Sequence, residues 1–261
     1  MSERAETGRI AGSDVVYPTA ALCAGVALWW ALARLLEIPS FLLPSPGAVA
    51  ARLAGNPELY LANAVYTLEK VVYGGAIGIS AGVALAVFVA YVPWFRRAVY
   101  PYLVTVRVLP KLAVAPLLLI YLGTGTATAI VFVALITFFP LVLNAAAGLD
   151  RAPAAHRDLL RSVGAGPLER LLYVDVPYAI PDVFAGLKQS VTLAVVGAVV
   201  SEWVVADDGL GFLILSGSEN VRPDVMLAAL VVLLIVGLAL YGLVAVAQGY
   251  VYDRLGLEAR D

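Results

Sequence analysis

Six stretches of about twenty residues, nearly free of charge, alternate with short polar connections. They cover residues 15–36, 71–92, 99–122, 127–147, 183–205 and 225–247. A helix of about twenty residues rises ~30 Å, enough to cross the hydrocarbon core of a bilayer. A soluble helix keeps a polar face, whereas these runs are apolar all round. The pattern predicts an all-α integral membrane protein with about six transmembrane helices.

The connections have distinct characters. Residues 38–46, IPSFLLPSP, form a proline-rich extended segment that cannot continue a helix. Residues 56–66 read as a partly amphipathic lead-in to the second run, and residues 123–126, GTGT, as a tight turn. Residues 148–177 are the longest polar stretch, and no tandem repeat is visible. The chain divides into a polar segment 1–14, one membrane domain 15–250 with a long loop 148–177, and a tail 251–261.

Composition supports this reading. Of 261 residues, 62% are hydrophobic and 14% charged, and mean hydropathy is +0.91. Soluble domains carry about 25% charged residues. A net charge of −2 gives no reason to expect a nucleic-acid partner. A single cysteine, Cys23, and a single histidine, His156, cannot build a disulfide framework or a zinc site within one chain. Cys23 is expected to be a small packing residue. The first run exceeds the ~7–15 apolar residues of a signal peptide and carries Trp29 and Trp30, so it reads as an uncleaved first transmembrane helix.

Charge placement predicts orientation. With six spans and a cytoplasmic N-terminus, the inner segments hold Arg4, Arg9, Arg96, Arg97, Arg151, Arg157, Arg161, Arg170, Arg254 and Arg260. The outer segments hold Arg34, Arg52 and Arg222. Ten arginines against three follows the excess of positive charge in cytoplasmic loops. Both termini and the 148–177 loop are therefore expected in the cytoplasm.

Four charged residues are candidates for a translocation pathway: Arg107, Lys111, Lys188 and Glu202. A cation at mid-membrane costs ~2.5–3.5 kcal/mol on insertion scales, so it implies either function or a side chain that snorkels to the interface. Both readings stay open. Arg107 and Lys111 share the third run with Pro101, Pro110 and Pro116, which free backbone carbonyls where a helix is buried or lines a wet cavity. Glu69 and Glu202 stand near span ends and Asp182 precedes the fifth run, so no acid stands mid-span as in a proton relay. An ion-coupled secondary transporter is the alternative function. In the second run, Gly74, Gly78, Gly82, Ala86 and Ala90 recur every four residues on one helix face. That stripe serves packing within the chain or a seam between subunits.

The long loop contains two short helical patterns. Residues 158–163 place Leu159, Leu160 and Val163 on one side, and Gly164 suits a helix C-terminus. Pro167 suits the first turn of a second helix with Leu168, Leu171 and Leu172 as its apolar side, ended by Pro177 and Pro181. Exposed leucines diluted by Asp158, Glu169 and Asp175 point to a docking element rather than a polybasic membrane anchor.

This loop resembles the motif E-A-A-x3-G-x9-I-x-L-P of permease subunits of binding-protein-dependent ABC importers. Here it reads Asp158-Leu159-Leu160, three residues, Gly164, nine residues, then Val174-Asp175-Val176-Pro177. Asp-Leu-Leu replaces Glu-Ala-Ala, which keeps the acid and enlarges the two small positions. The blocks LPSP, LPKLAVAPLLLIYLGTG, FFPLVLNAAAGL, SEW and GLG resemble the nitrate/sulfonate/taurine/bicarbonate branch. The resemblance implies a type I importer permease (MetI-like) fold with a cytoplasmic coupling helix. It further implies a second permease copy as a homodimer, two cytoplasmic ATP-binding subunits and an external solute-binding protein in a cell membrane. The coupling loop would use Asp158, Leu159, Leu160, Val163, Gly164, Val174, Val176 and Pro177. The chain itself is expected to be no enzyme and to hold no cofactor, with ATP and Mg on the partner ATPase. Lys70, Lys111 and Lys188 indeed stand in no Gly-Lys-Ser/Thr phosphate loop. The implied substrate is a small anion such as a sulfonate, taurine, nitrate or bicarbonate, with pyrimidine-type vitamin precursors in related branches.

Overall fold

A computed structural model describes residues 12–106, 108–205 and 207–256. Its elements are α1 (Gly12–Leu35), α2 (Pro46–Gly55), α3 (Pro57–Tyr91), α4 (Pro93–Val106), a 3₁₀ turn (Lys111–Val114) and α5 (Ala115–Leu122). There follow α6 (Thr126–Asp150), α7 (Ala154–Ser162), α8 (Pro167–Arg170), a π-helical turn (Leu171–Asp175), α9 (Val176–Val205), α10 (Leu210–Glu219) and α11 (Pro223–Leu255). No strand occurs among the described residues. Among the described residues five helices are long and apolar enough to cross a membrane, or six with the bent α4–α5 pair counted as one span.

The core is a three-helix sandwich of α3, α6 and α9. Gly74 lies against Ile130 and Val133, Gly78 against Ala134 and Thr137, and Gly82 against Phe138 and Leu141. A β-carbon at Gly78 would stand 2.1 Å from Thr137 Oγ1 and 2.3 Å from the Ala134 carbonyl oxygen. The small-residue stripe is thus the seam between two helices of the same chain, and the subunit-seam reading of these three glycines falls away. On the other side of α6, Gly186 and Gly197 of α9 close on Leu141 and Val133.

Those contacts also fix direction. Positions along α3 and α6 advance together, so the two helices run parallel. Two parallel crossings require the chain between them to return across the bilayer. It does so along α6: Leu103 clusters with Phe139 and Val142, and Ala115 with Phe132 and Ile136. This return is a broken span bent by 96°, not the continuous helix expected over 99–122. Pro110 cannot donate a helical hydrogen bond and biases Leu109 away from helical geometry. The break lets a 3₁₀ turn start at Lys111. Pro101, by contrast, is accommodated inside α4.

Three further boundaries differ from expectation. The second span begins at Pro57, because the lead-in is continuous with it. The last reaches Leu255. The fifth begins at Pro167 rather than 183, since helix runs unbroken through Pro177 and Pro181. The π turn Leu171–Asp175 explains this: Val176 N–H reaches back five residues to the Leu171 carbonyl. The extra residue relieves the clash that a proline ring makes with the carbonyl four residues earlier. The short helices α2 and α10 have no counterpart in the expected set. Ser45 caps α2 by accepting from Ala48 N–H at 3.3 Å, and the Gly123–Gly125 turn between α5 and α6 forms as expected, with both glycines at positive φ. Cys23 is exposed on α1, not packed.

Candidate functional site: the coupling loop and the charged brace

Helix α7 ends in a Schellman closure. Gly164 N–H donates to Arg161 O at 3.0 Å and Ala165 N–H to Leu160 O at 2.9 Å, with Gly164 at φ +81°. Gly164 is required by that left-handed backbone; beyond its two chain neighbours, nothing lies within 4 Å of where its β-carbon would be. Glu169 then accepts from Gly166 N–H at 2.6 Å and starts α8. Leu159, Val163 and Leu168 are exposed, as are Asp158 and Gly164, while Leu160 is half-buried. The loop therefore presents an uncovered apolar surface. Val174 is buried, Val176 exposed and Pro177 half-buried within the helix that leads into the membrane.

A polar junction ties α7 to the membrane helices. Arg157 Nε donates to Asp175 Oδ1 at 2.7 Å, and its Nη2 to Leu149 O at 2.5 Å. Tyr91 OH, at the end of α3, donates to the other oxygen of Asp175. Arg96 of α4 holds Asp150 of α6 through two hydrogen bonds of 2.9 and 2.5 Å. His156 and Tyr178 meet at 2.9 Å on the exposed side. The side chain of Asp175 is 6% exposed, so its charge depends on these partners. Sequence reading treated Asp175 only as dilution of basic charge. Its place as hub depends on three helix ends meeting there.

A second cluster lies at the opposite end of α3 and α9. Glu202 is buried, and its carboxylate accepts from Thr67 Oγ1 at 2.9 and 3.1 Å, Lys70 Nζ at 3.1 Å and Gly211 N–H at 2.7 Å. Lys70 also reaches Asp208 Oδ1 at 2.9 Å. Asn63 accepts from Gly209 N–H at 2.8 Å and Thr67 from Leu210 N–H at 2.8 Å, so the first amides of α10 are satisfied by α3 and α9. Gly209 must be glycine: its φ is +107°, and a β-carbon would stand 2.3 Å from the Glu202 carboxylate.

The profile of the family described as binding-protein-dependent transport system inner membrane component matches residues 78–256, which contain α6, the coupling loop and α9–α11. The chain belongs to this family.

A probable ABC transporter permease protein of Haemophilus influenzae is 35% identical over 222 residues, covering 84% of this chain and 91% of its own length. The riboflavin transport system permease protein of Chloroflexus aurantiacus is 31% identical, covering 85% and 84%. Among solved structures, a chain of the inward-facing MetNI methionine ABC transporter superposes with a TM-score of 0.64 at 20% identity, covering 77% of this permease and 98% of that chain. Further relatives are named for formylaminopyrimidine, taurine and nitrate transport. The chain is thus a multi-pass membrane permease of an ABC importer for small solutes. It is not itself an enzyme; ATP hydrolysis resides on a separate chain.

Among the described candidates of the permease, Glu202 stands near the C-terminal end of α9 and Lys188 near its middle. Glu202 belongs to the buried brace, with its carboxylate held by Thr67, Lys70 and Gly211. Lys111, half-buried, lies with Nζ 5.4 Å from the Phe139 ring centre. Lys188, also half-buried, lies 5.6 Å from that of Tyr241. Both are within cation–π range of an aromatic face. Arg107 lies outside the described residues. Sequence reading missed Lys70, although Asn63, Thr67 and Lys70 follow helical spacing on one side of α3. From α6, Asn144 Nδ2 approaches Oε1 of Gln189, the residue after Lys188, at 3.5 Å.

Proposed function

We propose that residues 154–177 couple ATP-driven motion of two cytoplasmic ATPases to a pathway formed by this permease and a second copy. On this reading residues 15–250 act as one translocation domain, and both termini and the loop face the cytoplasm. A solute-binding protein delivers substrate on the opposite side. The observation that carries the coupling role is the Arg157–Asp175 bond, which clamps α7 to a helix continuous from Pro167 to Val204. Coupling requires contact that differs between two ATPase states, and a short helix fixed to a long one moves as a lever. Leu159 and Val163 supply the exposed grip, Asp158 and Leu160 flank it, and Gly164 lets the chain leave sharply. Val174, Val176 and Pro177 carry displacement into α9. Gly164→Asp is expected to abolish transport and ATPase association while leaving membrane insertion intact; normal ATPase binding and substrate-stimulated hydrolysis would reduce the loop to a connector.

For substrate, Lys111 and Lys188 favour a small anion such as a sulfonate, nitrate or bicarbonate. A planar heterocycle is the second reading, supported by the riboflavin and formylaminopyrimidine relatives at 31% and 32% identity and by the aromatic rings beneath both lysines. Stimulation of ATP hydrolysis in proteoliposomes by the loaded binding protein, compared for sulfonate, nitrate, riboflavin and pyrimidine ligands, separates the two.

A further inference from the structure

Beneath the coupling loop lies a cavity of about 280 Å³, lined by Ala90, Tyr91, Leu149, four arginines (Arg96, Arg157, Arg161, Arg170) and two aspartates (Asp150, Asp175). Four positive and two negative side chains leave an excess of two positive charges (4 − 2) on its walls. The two carboxylates are already engaged. Arg96 takes both oxygens of Asp150, and Arg157 and Tyr91 take those of Asp175. Arg161 pairs outward with Asp158 at 3.0 Å, where both side chains are well exposed and the bond is weak. Arg170 makes no ion pair among the described residues, and its Nε is buried without a hydrogen-bond partner. A buried guanidinium N–H left unpaired is costly.

We propose that this cavity is a binding site for a phosphate-type oxyanion, held chiefly by Arg170 with Arg161 turning inward. The planar fork of a guanidinium matches two oxygens of a tetrahedral oxyanion. The volume is below the ~300–1,000 Å³ that holds drug-sized ligands, so it suits a single phosphate group. The site is distinct from Lys111 and Lys188, and it lies where α3, α4, α6, α7 and α8 converge. An anion there would brace the coupling loop against the membrane helices. The phosphate group is either that of an anionic lipid headgroup at the bilayer edge, which the two surplus positive charges favour over zwitterionic phosphatidylcholine, or a free ion from solution.

The thermal unfolding midpoint of the assembled transporter distinguishes these sources. In detergent, potassium phosphate is titrated against potassium chloride at matched ionic strength. In a second arm, phosphatidylcholine nanodiscs are compared with and without phosphatidylglycerol. Specific binding raises the midpoint in proportion to the logarithm of phosphate concentration once the site fills. A free-ion site responds in the first arm; a headgroup site responds in the second. In either case Arg170→Gln loses the shift, Arg161→Gln reduces it and Arg170→Lys retains part of it. No shift in either arm, or the same shift in wild type and Arg170→Gln, would overturn the proposal. If Arg170→Gln fails to assemble, an undiminished shift in both Arg161→Gln and Arg170→Lys overturns it equally.

Discussion

Lys70 Nζ lies 3.1 Å from Glu202 Oε1, and neither side chain reaches the surface. The pair joins α3 to α9 at the end remote from the coupling loop, while Arg157–Asp175 joins α7 to the start of the same α9 assembly. Removing one member of a buried pair leaves the other charge uncompensated and costs ~3–5 kcal/mol. Lys70→Met is therefore expected to lower the unfolding midpoint sharply. Lys70→Met with Glu202→Gln should recover much of the loss, because glutamine can keep the Thr67 and Gly211 bonds without a charge. Equal midpoints for the single and double variants would show that the bond contributes nothing specific.

The α3–α6 seam predicts a sharp contrast between glycines. Gly78→Ala forces a methyl group into Thr137 and the Ala134 carbonyl and should cost ~1–3 kcal/mol by overpacking. Gly237→Ala, with nothing within 4 Å, should be neutral or raise helix stability by up to ~1 kcal/mol. Yield of folded protein by size-exclusion chromatography after mild heating reads the difference.

At the junction, Asp175→Asn removes the acceptor charge for Arg157 and should impair transport more than Tyr91→Phe, which deletes one neutral donor. Hydrogen bonds to charged groups contribute ~1.5–3 kcal/mol against ~0.5–1.5 for neutral ones. The expected signature is ATP hydrolysis that no longer rises with loaded binding protein, with unchanged membrane insertion. Wild-type stimulation in Asp175→Asn would remove Asp175 from the coupling path.

Orientation is tested by labelling. In a Cys23→Ala background, which removes the exposed native thiol, a cysteine at Arg157 should react with impermeant maleimide only from the cytoplasmic side. One at Arg222 should react only from outside. Labelling of position 157 from outside would reverse the arrangement.

The run of apolar residues determined by itself that this chain crosses a bilayer, because any segment of that length and hydropathy must satisfy its backbone internally as helix. The Gly-x9-Pro spacing of the loop likewise carried the resemblance to the family's motif, and Gly164 takes the left-handed backbone that the end of α7 requires. Tertiary structure decided what local rules leave degenerate. The glycine stripe of α3 could serve either kind of seam, and only the parallel approach of α6 assigned it to packing within the chain. Pro110 and Pro177 carry the same local propensity to break a helix; one bends the third span, and a π turn absorbs the other. Glu202 read as a pathway acid because its burial and its partners Thr67 and Lys70 come from a segment far away in sequence. A charge is made structural or functional by what surrounds it in space, and that is the one property a single chain position does not encode.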